Sequence, residues 1–433
     1  MRQKGLTIIT DILPGQKQQL RELLESIGTD IDNNSIIPFH RFYTVHFMRW
    51  VILDETAVRG RQIRAKLVLS TNYDGPIDSH LEDLCNHAGP GFYKIYSHCE
   101  DSPDNQDTSA MISYLKNHRH SLAAFYRGTA GRKVSQIRKE QKLWHAIQDI
   151  LDKHTFSQND SEIKDRLIRN LKKDKSFSWA FDRYSHELIY RFGTAILILY
   201  ALIFLAIIVW LWTTFFKTLL IATLLIIFLV ITWWIVLRKK ERKDSTAFNA
   251  VKKDASRIAQ LAKKEDYKVQ NQLTHLVEVK PGITRAITIR FVLWAINLLA
   301  TYRFNKGSLA GIQSIHYARW ILLDGGRRLL FFSNYDGSWE SYLGEFVDRA
   351  AVGLTAVWSN TMSFPPTKNL IREGARHSAE FKAWARKQQI PTQVWYSAYP
   401  NSSIKNINNN TAIRQGLVHA QNETEVAEFL QRL

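Results

Sequence analysis

Cysteine is nearly missing from this chain: Cys85 and Cys99 are the only two in 433 residues. That is too few for a disulfide-rich secreted scaffold or a four-cysteine metal site, so a reducing compartment is expected and no metal centre. An exported start is also lacking, because MRQKGLTIITDIL alternates like a strand and has neither apolar core nor cleavage site. Acidic residues are short as well. Forty Asp and Glu against 58 Lys and Arg leave a formal charge of +18, which suits nucleic acid or an anionic membrane surface. Nucleic acid needs a basic face interleaved with stacking aromatics or a reading motif, and neither is found. Common enzyme signatures are missing too: no Gly-x-Gly-x-x-Gly after a strand, no Walker loop, no Gly-x-Ser-x-Gly elbow, no His-Glu-x-x-His.

What is present begins with two apolar stretches, Gly193 to Trp212 and Thr218 to Leu237. Each has about the 20 residues a helix needs to cross hydrocarbon. The five residues between them force a return, so a transmembrane hairpin is expected. Lys172, Lys173, Lys175, Arg183 and Arg191 precede it and RKKERK follows from Arg238, whereas the turn holds only Lys217. The positive-inside bias then puts both soluble parts in the cytoplasm, probing anionic lipid headgroups, with the hairpin tip outside.

The soluble parts repeat each other. HFMRWVILD (His46 to Asp54) matches HYARWILLD (His316 to Asp324), and NYDG recurs at Asn72 and Asn334. Pro14-Gly15 and Pro281-Gly282 close the first strand of each copy, and Gly91 and Gly353 follow NYDG at equal spacing. Each copy reads βαββαβ, the order of the ferredoxin-like fold. In the first copy the expected strands include His40 to Leu53, Ile63 to Tyr73 and Phe92 to Tyr96. The fold class is α+β: two ferredoxin-like repeats packing sheet against sheet as a pseudo-dimeric α/β barrel, with the hairpin inserted. The expected segments are 1–100 (first repeat), 101–190 (helical appendage), 191–238 (hairpin), 239–270 (basic linker), 271–362 (second repeat) and 363–433 (C-terminal appendage). The first appendage is expected to be helical near Met111 to Tyr126, then amphipathic through Val134, Ile137, Leu143 and Ile147. In the second, NSSIKNINNN reads as a loop after a helix from Ser378 and a strand from Thr392. Ile283 to Tyr302 is apolar on most faces but carries Arg285, Arg290 and Asn297, so it is expected beside the hairpin, in the headgroup layer or buried in a core, and not as a third span.

The repeated polar residues are the candidate site. His316, Arg319 and Asp336 are the candidate catalytic set, and His46, Trp50, Trp320, Asn72 and Asn334 the candidate ligand-binding set. Alternation puts His46 on one face with Met48 and Trp50 and Arg49 on the other. Inward-facing histidine and tryptophan could flank an apolar ligand or haem iron. Packing explains the same residues: a strand arginine can pair with Asp54 or Asp324, and Asp336 or Ser338 can cap the helix near Trp339. His98 beside Cys99 has only Asn360 and Thr361 as counterparts.

The blocks SIHYARWILLD, FFSNYDGSWESYLGEF and GLTAVWSNT resemble those of bacterial membrane-anchored proteins whose βαββαβ units are similar to the dimeric α/β-barrel superfamily. That superfamily includes chlorite-dismutase-like and dye-decolourising haem peroxidases. The resemblance implies a barrel, at the bacterial inner membrane, and either a binding or scaffold role or a haem-dependent oxidoreductase acting on a small or membrane-soluble substrate; a homo-oligomer and a small-molecule ligand are both compatible. The peroxidases' GxxDG motif is altered here, with Thr71 and Ser333 in place of its first glycine.

Overall fold

The computed structural model describes residues 3–104, 106–153, 159–182, 188–246, 254–263, 265 and 268–433. Arg183 and part of the 239–270 linker lie outside the described residues. The chain is a mixed α+β protein with two four-stranded antiparallel sheets. Their strands are β1 (Gln3–Asp11), β2 (Val45–Leu53), β3 (Lys66–Asp74), β4 (Ala124–Arg127), β5 (Gln270–Glu278), β6 (Ile315–Leu323), β7 (Arg328–Asp336) and β8 (Val394–Ser397). The first copy gives the order β1-β3-β2 and the second repeats it as β5-β7-β6. The extra residues of the first copy make a small hairpin, Thr56–Val58 against Arg61–Ile63. The second copy turns instead on Asp324, Gly325 and Gly326, with φ of 53°, 70° and 88°.

The fourth strand of each sheet differs from the sequence expectation. Phe92 to Tyr96 is not a strand but the second half of a helix, α2 (Ile77–Tyr96), after α1 (Lys17–Thr29). Phe92, Ile95 and Tyr96 are all buried, and that spacing is helical, not alternating. The appendages complete the sheets by exchange: β4 of the first pairs with β6 of the second copy, and β8 of the second pairs with β2 of the first. The helix expected to reach Tyr126 therefore stops early, as α3 (Thr108–Asn117), and the aromatic pair Phe125-Tyr126 extends as a strand. Just ahead of each exchanged strand the backbone bonds the other sheet. Ile9 N donates to His118 O (3.0 Å), His120 N to Thr7 O (2.9 Å) and Ile390 N to Thr274 O (2.9 Å). Both pairs of facing edges are thus stitched, which removes unpaired strand edges from solvent.

A side bundle forms from α4 (Val134–Lys153) and α5 (Asp160–Lys173) together with the chain's last two helices. The apolar helices α6 (Leu188–Thr214), kinked at Phe192, and α7 (Phe216–Thr246) follow, separated by Phe215, and then the short α8 (Ala255–Ala262). Over the second sheet lie α9 (Ile283–Tyr302), α10 (Trp339–Arg349), α11 (Ala351–Trp358) and α12 (Ser378–Gln388). NSSIKNINNN is not a loop: Ser403 and Asn406 form a capping box for α13 (Ile404–His419), which buries Ile404, Ile407 and Thr411 at helical spacing before α14 (Glu423–Leu430). Among the described residues, three helices are long and apolar enough to cross a membrane: Phe192–Thr214, Phe216–Ser245 and Ile283–Tyr302.

Between the sheets, Ile9, Val51, Leu53 and Val68 interlock with Ile321, Leu323, Leu330 and Phe332. Where β4 leaves this layer, Gly128 N donates to His316 O (2.7 Å), and a Cβ on Gly128 would overlap the Ile315 carbonyl oxygen. Gly128→Ala should therefore push the exchanged strand off β6 and cost roughly 1–3 kcal/mol, read as a lowered Tm of the detergent-solubilised protein; an unchanged Tm would show that β4 does not hold the sheet.

Candidate functional site

Both HxxRW strands carry a bulge, because pairing shifts between Val45 and Phe47 and between Ile315 and Tyr317. The bulge changes the facing expected from plain alternation. His46 turns to the inter-sheet side, its ring 5.4 Å from that of Tyr317, while Trp50 stays on the helix side against Phe92 (5.6 Å). Trp320 likewise packs on Phe331 (4.9 Å), under the helices. The tryptophans therefore do not line a common pocket with the histidines, contrary to the expectation from sequence.

The two arginines cross between sheets. Arg319 Nη1 donates to Leu6 O (2.7 Å) and Thr7 Oγ1 (3.3 Å), and its Nη2 to Thr71 O (2.7 Å). Arg49 reciprocates with Leu273 O (2.9 Å), Thr274 Oγ1 (3.2 Å) and Ser333 O (2.9 Å), and adds Gln272 Oε1 (3.0 Å) and Asn334 Oδ1. Neither uses Asp54 or Asp324 as sequence suggested; Asp324 instead holds Arg328 (2.5 Å) and Asp54 holds Arg21 (3.0 Å). Burial pushes both guanidinium groups down to about 9, with repulsion from Arg319 adding at Arg49. Asn334 Nδ2 reaches Asn72 Oδ1 at 3.4 Å between them.

Each histidine meets the aspartate of its own NYDG block. His46 Nε2 lies 3.0 Å from Asp74 Oδ1 and His316 Nε2 lies 2.6 Å from Asp336 Oδ1. The second carboxylate oxygens accept from the first N–H groups of two helices: Val134 N of α4 (2.8 Å) and Ile404 N of α13 (2.7 Å). Asp336 thus caps α13 while Ser338 caps α10, accepting from Ser341 N. A negative carboxylate at a helix start gains from the dipole and the unpaired N–H groups there. His46 Nδ1 is 2.8 Å from the Tyr399 hydroxyl, whose pKa burial pushes well above the usual range. A His–Asp pair can serve as a general base, but here the carboxylates also hold helices, and the hydroxyl beside His46 belongs to the buried phenol of Tyr399. The arrangement latches strand bulges to the helices that follow the exchanged strands.

Haem does not fit these residues. Both nitrogens of His46 are engaged, and His316 is fully buried between Phe47 (5.2 Å) and Tyr399 (6.1 Å), so an iron at either ring would require the inter-sheet layer to repack. Among the described residues no group of three His, Cys, Asp or Glu side chains could hold a metal. His98 bonds Gln16 (3.0 Å) and Cys99 accepts from Thr10.

The symmetry between the clamps breaks at one place. Beside Arg49 stand Gln272, Thr392 and Trp395, the last bonding Asn334 Oδ1 (2.9 Å), and these three line a cleft of about 450 Å³ with Glu25, Asn271 and Gln393. The counterparts beside Arg319 are Gly5, Leu122 and Phe125: the Leu122 methyl lies 3.0 Å from where a Gly5 Cβ would be, which closes that side. Sequence reasoning missed Tyr399, Gln272, the strand β4 and the exchange of β4 and β8 between the sheets. A signal existed, because Phe125-Tyr126 and Trp395-Tyr396 stand at the same separation as His46 and His316. No protein-family model matches the chain, and no curated protein matches it.

Two expectations follow. Arg319→Lys keeps the charge but lacks the fork, so Leu6 O or Thr71 O loses its donor at a cost on the order of 2 kcal/mol; Arg49→Lys should cost at least as much, measured by denaturant unfolding. A wild-type midpoint in both would show the clamps to be idle. The second concerns His80 and His275, which burial pushes down to about 3. Unfolded imidazole binds a proton below about pH 6.5 while the folded rings stay neutral. Their stabilisation is therefore complete above pH 6.5 and falls as pH drops toward 3, by up to about 1.4 kcal/mol per unit for each. His275→Leu should flatten the decline in Tm between pH 6.5 and 4.5, and an unaltered slope would refute this.

Proposed function

We propose that the chain is a membrane-anchored binding protein, a duplicated α/β-barrel module of ferredoxin-like halves held at the cytoplasmic membrane face by a two-helix hairpin. Its ligand is small and polar and enters the cleft beside Arg49. The observation that carries this reading is the broken symmetry: a scaffold preserved in duplicate is sealed by Gly5, Leu122 and Phe125 on one side and opened by Gln272, Thr392 and Trp395 on the other. Amide and hydroxyl groups around one aromatic ring suit orientation of a polar molecule. The barrel reading is supported by the stitched edges and the anchor by the exposed apolar lengths of α6 and α7. The peroxidase-like alternative has less support, since His46 and both arginines are spent on internal bonds and His316, whose Nδ1 has no partner, is wholly enclosed in the inter-sheet layer.

Native mass spectrometry and absorption spectroscopy of detergent-solubilised protein test this. The expected result is a colourless protein with a small adduct that disappears in the Gln272→Gly, Thr392→Leu variant while Tm is retained within a few degrees. A Soret band with near-stoichiometric iron, lost in His316→Ala, would overturn the reading in favour of a haem enzyme, and an adduct retained by the double variant would move the ligand elsewhere.

A further inference from the structure

The third apolar helix has a different relation to the bilayer from the first two. α9 joins β5 to β6, and those strands lie in one sheet with only β7 between them. Both ends of α9 must therefore lie on one side of any membrane, which a single crossing forbids. Yet α9 is not a buried core helix. Arg285, Ile289, Leu293 and Ala300 are inward, while Ile283, Ile287, Phe291 and Trp294 are exposed by 75%, 47%, 62% and 57%. These four form one stripe at helical spacing, far more apolar than the exposed face of a helix bathed in water.

The contacts of α9 with the hairpin fix where its ends lie. Near its start, Thr288 Oγ1 accepts from Trp233 Nε1 (3.2 Å), Thr284 Oγ1 accepts from Lys240 Nζ (2.8 Å) and Arg285 pairs with Asp244 (2.6 Å). At its end, Tyr302 O lies so close to Gly193 of α6 that a Cβ there would meet it. Trp233 is about 7 Å of helix inside the basic end of α7 at Arg238, and Gly193 stands at the basic end of α6. Thr284 against Lys240 and Tyr302 against Gly193 put both ends of α9 at the basic base of the hairpin, so the helix starts and finishes on the same side of the apolar spans. Around the same hairpin base, Glu241 binds Thr367 Oγ1 (2.6 Å) and Leu370 N (2.7 Å), and exposed Met362, Ile371 and Val352 continue the apolar surface. Arg290 donates to Ala286 O (3.0 Å) and to Gly325 O (3.4 Å), which holds its guanidinium against the turn between β6 and β7.

We infer that α9 is an interfacial helix, its Ile283, Ile287, Phe291 and Trp294 stripe seated at the headgroup and acyl boundary, so that the second sheet lies side-on against the bilayer. This rests on the hairpin spanning the membrane, and the test separates the two. Single cysteines are introduced at Phe215, Ile283, Phe291, Trp294 and Arg303 in the full chain, reconstituted in vesicles of phosphatidylcholine and phosphatidylglycerol; the native Cys85 and Cys99 are buried. With the soluble part outward, Phe215→Cys should resist a membrane-impermeant maleimide until the vesicles are opened. Ile283→Cys and Arg303→Cys should both be reached from outside, and spin labels at Phe291→Cys and Trp294→Cys should report the same shallow depth in the bilayer. Labelling of Phe215→Cys from outside in intact vesicles overturns the hairpin. With the hairpin intact, Phe291→Cys and Trp294→Cys in water, or Ile283→Cys and Arg303→Cys on opposite sides, overturns the interfacial helix.

Discussion

Two buried guanidinium groups, each hydrogen-bonded to main-chain carbonyls of the opposite sheet, set the register of the whole protein. Arg49 and Arg319 carry charge into a layer otherwise made of Ile, Leu, Val and Phe, with no carboxylate partner, and that burial is costly. The cost is offset only where the fork meets its acceptors together. A slip of one residue, about 3.3 Å along a strand, would leave both guanidinium groups and Leu6 O, Thr71 O, Leu273 O and Ser333 O without partners. An all-apolar interface would tolerate several sliding arrangements. This one does not, because each fork finds its carbonyls in one alignment of the two sheets.

Strand exchange then constrains the membrane topology. β4 precedes the hairpin in sequence and pairs with β6, which follows it. Segments that share a ladder must occupy the same compartment, so any crossings made by the chain between them come in pairs. The return between α6 and α7 at Phe215 is compatible with one such pair. The exchange also ties the halves together: without the partner's appendage, β2 and β6 would each present an open edge.

Much of this was legible in the sequence, and the failures share a cause. The repeat, the paired strands and the hairpin were visible because alternation, turn glycines and 20-residue apolar runs are local signals. Phe92 to Tyr96 was misread because a short buried helix half and a buried strand look alike over five residues. The bulges at His46 and His316 were invisible, since an extra residue in a strand leaves no compositional mark, and each reverses which neighbours share the imidazole's face. The Asn-rich segment became α13 through a capping box and two buried isoleucines, which outweigh weak helix propensity. The repeated polar residues were read in terms of side-chain chemistry, whereas many of their partners, such as Val134 N, Ile404 N and the opposite sheet's carbonyls, are main-chain groups that no side-chain motif announces.

The duplicated halves have diverged most on their outer faces. α1 and α9 hold the same place in the two copies, after the first strand and its Gly15 or Gly282 turn. The outward positions of α1 include half-buried Lys17 and Arg21 and exposed Gln18, which bond Glu55, Asp54 and Glu22 respectively, whereas α9 exposes Phe291 and Trp294. Because the sheets pack face to face, their helix layers point in opposite directions, and a bilayer touching α9 leaves α1 facing water. The open cleft is walled on one side by Glu25 and Thr29 of α1. On the reading proposed above, a ligand for this cleft would come from the aqueous side, which favours a soluble polar molecule over a hydrophobic one delivered from the lipid, and it would not compete with the proposed membrane contact of α9.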